Sequence, residues 1–110
     1  MRIVIAGTLC ALLFALPAGA TAVAAAHALM DPATPLETCV RAGQIAVERA
    51  GLQVQAISSS SVNATNPAGD AYLIVCVQER GVVTISGATA GTIQQVEPVV
   101  RHLIDLFGKP

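Results

Sequence analysis

The sequence predicts a small α+β domain of two layers, ordered α-β-β-β-α, in which a three-stranded antiparallel meander carries two packed helices. Three observations predict it. Apolar side chains recur at the helical period over residues 35–50 and again over 92–107. Between them lie three short apolar or alternating runs, separated by Gly-, Ser-, Asn- and Pro-rich stretches. The 110 residues leave room for one domain.

The first helix is predicted over 35–50. Thr34-Pro35-Leu36-Glu37 places Thr at the N-cap, Pro at the first helical position and Glu where a capping box needs it. Leu36, Cys39, Val40, Gly43, Val47 and Ala50 then share one face, with Glu37, Arg41, Gln44, Glu48 and Arg49 opposite. Gly51 supplies a left-handed stop, and Leu52 folds back onto the last turn.

Residues 52–56 alternate apolar and polar, as a half-buried strand does. Residues 58–69 read as a loop, within which Asn63-Ala64-Thr65 matches a glycosylation acceptor that matters only in a eukaryotic host. Ala71 to Val77 is continuously apolar, the mark of a central strand covered on both faces. Glu79-Arg80-Gly81 is expected to turn the chain into a third strand, Val82 to Ser86. Gly87 to Gly91 is expected to be a flexible loop. It superficially resembles a phosphate-binding loop but lacks the Lys and the spacing of one. In the second helix Ile93, Val96, Val100, Leu103, Ile104 and Phe107 share a face, and Thr92 with Gln95 is placed to cap it. Pro98 has no N–H for the residue four back, so the helix either kinks there or begins near Val96.

The chain opens as a secretory leader. Met1-Arg2 is a short positive end, Ile3 to Leu16 is apolar and charge-free, Pro17 and Gly19 break the run, and alanines follow. Ala18-Gly19-Ala20, Ala22-Val23-Ala24 and Ala26-His27-Ala28 all satisfy the small-residue rule for cleavage, placing the cut between Ala20 and Ala28. With the boundary set at 26, residues 1–26 are the signal peptide and 27–110 the exported domain. The run from Ile3 to Leu16 is too short for a span, which needs about 20 apolar residues. Lipidation at Cys10 is disfavoured, because it follows Leu9 inside the apolar run. The expected destination is the periplasm or the exterior, with no membrane attachment after cleavage.

The cysteines carry the firmest chemistry. Cys10 leaves with the leader, so Cys39 and Cys76 remain as an even pair in a compartment where disulfides persist. A metal pair is the alternative, but the spacing fits no zinc motif and only His102 offers a further ligand. The bridge also bears on sheet register. With Glu79 to Gly81 as a three-residue loop, Cys76 pairs with Thr84, putting Leu73, Val75, Val77, Val83 and Ile85 on the richer apolar face. A Cys39–Cys76 bridge turns the Cys76 face toward the helices instead. The bridge is the stronger constraint, because one residue of slip repairs the turn. Leu73, Val75 and Val77 are then a candidate interaction face on the far side of the sheet.

Composition excludes several function classes. Five basic side chains oppose seven acidic ones after the leader, a balance of −2 with no basic stripe for nucleic acid and no acidic cluster for a cation. One Tyr, two Phe and no Trp leave little to stack on bases or sugars. No catalytic residue, metal site or cofactor is assigned. His102, near Asp105, is the one acid–base candidate, and a small hydrolase or isomerase using it with a nucleophile from Ser58 to Ser61 is the alternative function. The ladder Glu97, Arg101 and Asp105 beside it reads more simply as a solvated helix face.

The leader, Cys39 in the first helix, Cys76 in a strand before the Gly81-Val82-Val83 turn, and the closing amphipathic helix resemble small exported bacterial proteins of uncharacterised function. The resemblance spans residues 35–107 and implies no catalytic residues. The expected function is therefore a non-catalytic binding or interaction protein, held by one disulfide, that associates as a homodimer or with another protein through its sheet.

Overall fold

The computed structural model describes residues 22–109. Seven main elements follow in chain order: β1 (Ala22–Leu29), α1 (Leu36–Arg49), β2 (Gln53–Ile57), β3 (Ser61–Thr65), β4 (Ala71–Val77), β5 (Val82–Thr89) and α2 (Ile93–Leu106). The strands form one antiparallel sheet in the order β1-β5-β4-β3-β2. Both helices pack on one face of it, so the molecule is the two-layer α+β domain that the sequence predicts. The sheet is wider than the expected meander by two strands, β1 and β3. The leader residues up to 21, Cys10 among them, lie outside the described residues.

Helix α1 begins one residue later than its capping signature suggests. Pro35, in extended conformation, is the N-cap, and its carbonyl accepts the N–H groups of Thr38 and Cys39 at 3.0 and 3.1 Å. The Thr34 capping box is not made. The cause lies in the fixed φ of proline, which suits the residue just outside the helix as well as the first one inside it. The buried stripe is Cys39, Val40, Gly43, Ala46 and Val47. Helix α2 does carry its box, with Gln95 Oε1 accepting the Thr92 N–H at 2.8 Å. It runs unbroken from Ile93 through Pro98 to Leu106, burying Val96, Val100 and Leu103.

The β4–β5 turn resolves the register question. It is a four-residue connection, a 3₁₀ turn over Gln78–Arg80 followed by Gly81 at φ 63°, rather than the three-residue loop expected. Cys76 therefore pairs with Val83 and Val77 with Val82. One residue of slip puts Cys76, Val83, Ile74, Ile85 and Tyr72 together on the helix side, all nearly inaccessible. A Cβ on Gly81 would also lie 2.8 Å from the Met30 carbonyl oxygen, so the turn is doubly closed to larger residues. Met30 in turn donates its N–H to the Gly81 carbonyl at 2.9 Å, extending the β1–β5 pairing over the hairpin.

Residues 87–89 belong to β5, which replaces the flexible loop expected there. Gly87 faces the helices opposite Tyr72, and an added Cβ would sit 2.8 Å from Tyr72 Cε1 and 3.2 Å from Val100 Cγ2. The glycine is thus a slot for an aromatic ring.

Residues 61–65 form β3 inside the stretch expected to be a loop. Val62 and Ala64 point to the helices and are buried, while Ser61, Asn63 and Thr65 point away. The Asn66–Asp70 turn then closes with mutual hydrogen bonds, Asn66 Nδ2 donating to Asp70 Oδ2 and the Asp70 N–H donating to Asn66 Oδ1.

The disulfide joins Cys39 of α1 to Cys76 of β4, with Cα atoms 6.3 Å apart across 37 residues of chain. In the chain-entropy account such a loop contributes about 4 kcal/mol. Against a net stability of about 5–15 kcal/mol for a small domain, that is a large share.

Candidate functional site

The site is assembled by alternation. Every second residue of each central strand is committed to the helix layer, so the remaining ones define the outer face. Leu73, Val75 and Val77 of β4 fall there, as expected from the bridge, and neither helix of the described residues lies over them. Pairing sets their neighbours. Leu73 lies between Ser86 and Asn63, Val75 between Thr84 and Ser61, and Val77 beside Val82. Beyond β5, the outward residues of β1 continue the rows: Ala25 beside Ser86, His27 beside Thr84 and Leu29 beside Val82. Leu29 is 83% exposed and Val23 48%.

Electrostatics set this face apart. None of the five strands contains Lys, Arg, Asp or Glu. All charged side chains of the described residues sit on the helices and connections. His27 is the only ionisable residue on the outer face. An uncharged surface with a row of Leu29, Val82 and Val77 beside Val75 and Leu73 costs little to desolvate, and it stabilises by about 25 cal/mol for each Å² of apolar area removed from water.

The chemistry candidates do not converge. His102 is exposed on α2. Ser58 and Ser61 hydroxyls hydrogen-bond each other at 2.7 Å across the β2–β3 turn. Of the expected charge ladder, Arg101 reaches Glu97 at 3.1 Å, on an open helix surface where such a pair contributes under about 1 kcal/mol. Two open depressions flank the helices. One of about 300 Å³ lies between α1 and the β2–β3 turn, with Glu37, Arg41, Gln44 and Ser58 on its wall. The other, about 400 Å³, lies between β1 and α2, with Ala24, Ala26, Ile93, Glu97 and Val100. His102 lines neither of them. Among the described residues no three of His, Cys, Asp and Glu are grouped to hold a metal ion. Cys39 and Cys76 are spent on their bridge.

The edge strand β1 is the part of this face that sequence reasoning missed. Its alternation was legible: Val23, His27 and Leu29 point outward, while Ala24, Ala26 and Ala28 point in. The alanines masked it, being poor strand formers and good leader residues at once.

Tyr72 is the one buried titratable side chain with a displaced pKa. It is 2% exposed, its hydroxyl has no hydrogen-bond partner among the described residues, and its pKa is raised by burial first and by the Asp70 carboxylate second. It belongs to the core between sheet and α2 rather than to the outer face. No helix among the described residues is long and apolar enough to cross a membrane. Set against family models, curated proteins and solved structures, the chain matches none.

Proposed function

We propose that this chain is an exported, non-catalytic interaction protein of the periplasm or cell exterior, and that two copies associate through their outer sheet faces. One observation carries the reading: a wide sheet face, uncovered by either helix of the described residues, on strands with no charged residue. Contiguous exposed apolar area of this kind marks contact surfaces on soluble proteins. A second copy is the favoured occupant because a charge-free face meets itself without repulsion, and a two-fold pairing sets the same apolar row against its own image. A charged partner would find no complementary group there. The disulfide supports export, since such bridges persist in oxidising compartments and are rare in the cytosol. The leader pattern of residues 1–26 supports it independently.

Size-exclusion chromatography of the exported protein over a hundredfold concentration range tests the association. Elution should move from the monomer toward the dimer position as concentration rises. A concentration-independent monomer contradicts it. A hydrolase or isomerase using His102 has no observation in its favour beyond the residue itself, and His102→Ala should leave both fold and association unchanged.

A further inference from the structure

We infer that the leader is removed at the first of the alanine sites, by hydrolysis of the Ala20–Thr21 peptide bond, so that β1 stays whole in the exported domain. The inference rests on the export reading and adds the processing site to it. In the reaction water is consumed, Ala20 keeps the new carboxylate and Thr21 becomes the amino terminus.

The small-residue rule alone accepts cuts after Ala20, Ala22, Ala24, Ala26 and Ala28. The fold separates them. β1 pairs with β5 over eight consecutive residues, from Ala22 opposite Thr89 to Leu29 opposite Val82. A cut after Ala24 removes the first three of those pairs together with Ala24, which packs against the core. A cut after Ala28 removes seven of the eight and leaves Leu29 alone. Cutting at residue 26 removes five.

What lies beneath β1 sharpens the choice. Ala24 and Ala26 face α2 and share a depression with Ile93 and Val100. Without the strand, the helix-side flank of β5 (Val83 and Ile85, both fully buried) loses its neighbour, and the β5 edge is left with a row of unpaired N–H and C=O groups. The inward positions of β1 are all alanine, while its outward positions include Val23, His27 and Leu29. Signal cleavage asks for small residues only at the two positions flanking the penultimate one. Four inward alanines at strict period two are what a strand lying under a helix asks for. A cut after Ala20 is the one that satisfies the leader rule and leaves this pattern whole.

The test is N-terminal sequencing and intact mass of the protein recovered from the envelope of cells expressing the full chain, beside an Ala20→Leu variant. The wild-type product should begin at Thr21. Ala20→Leu should abolish that terminus, leaving precursor or a displaced cut. A wild-type product beginning at Val23, Ala25, His27 or Leu29, or an Ala20→Leu chain still beginning at Thr21, overturns the site while leaving export intact. A chain found only full-length in the membrane fraction overturns export and the site together.

Discussion

The two faces of this sheet are built from the same strands and are opposite in character. On the helix side Tyr72, Ile74, Cys76, Val83 and Ile85 are sealed under α1 and α2, and one of them, Cys76, is tied covalently to Cys39 of α1. On the outer side their immediate chain neighbours, Leu73, Val75, Val77, Val82 and Thr84, are only half-buried, with no helix of the described residues over them. Composition does not separate the two faces of β4, which is apolar throughout, although β3 and β5 turn Ser61, Asn63, Thr84 and Ser86 outward. What orients β4 is the Cys39–Cys76 bridge and a turn one residue longer than the three-residue loop expected. A continuously apolar strand under a single helix layer therefore leaves one hydrophobic surface in water, and that surplus is what the proposed association removes.

The covered face should dominate stability, and the sharpest way to break it is at the bridge. Replacing Cys39 and Cys76 together by Ala should cost about 4 kcal/mol in denaturant unfolding. A loss under about 1 kcal/mol would mean that the helix layer is held by packing alone.

The next comparison uses adjacent residues on opposite faces. Ile74→Ala should cost about 2–5 kcal/mol, as methylene deletions in a sealed core do. Val75→Ala at low protein concentration should cost under about 1 kcal/mol, because most of its side chain's neighbours are retained. Equal losses would place both residues in one core and remove the asymmetry.

How far the sequence carried this follows from which signals were local. The helices were legible because capping, period and stops lie within each segment. The outer placement of Leu73, Val75 and Val77 was legible because a bridge from the apolar face of α1 leaves β4 only one orientation. The β4–β5 register was not, since three- and four-residue turns ending in Gly81 read alike and only tertiary pairing decides between them. β3 was hidden because Ser61, Asn63 and Thr65 carry loop chemistry, although Val62 and Ala64 alternate with them. β1 was hidden because its alanines answer two demands, one from the leader and one from α2. Gly87 looked like a loop glycine because the ring that fills its place, Tyr72, is fifteen residues earlier in the chain.

A smaller effect sharpens the same comparison from within the core. Burial raises the Tyr72 pKa, so the fold favours its neutral form. Its contribution is fully present below the ordinary tyrosine value near 10 and is lost as pH rises through the raised folded value. Tyr72→Phe should flatten this alkaline loss of stability. At neutral pH the variant should be as stable as wild type or up to about 1 kcal/mol more so, because the deleted hydroxyl is buried without a partner among the described residues. A loss exceeding about 1 kcal/mol would show that the hydroxyl is satisfied in solution.

The central claim is that the outer face is a contact surface for a second copy, and sedimentation equilibrium of wild type beside Val75→Lys tests it most directly. The substitution lies in the middle of the outer face, one row from its apolar edge at Leu29, Val82 and Val77, and leaves the sealed core untouched. Wild type should sediment as a dimer at high concentration, and Val75→Lys, melting cooperatively within a few degrees of wild type, should sediment as a monomer at the same concentration. A folded Val75→Lys protein that sediments identically to wild type, whether both are monomers or both dimers, would contradict it.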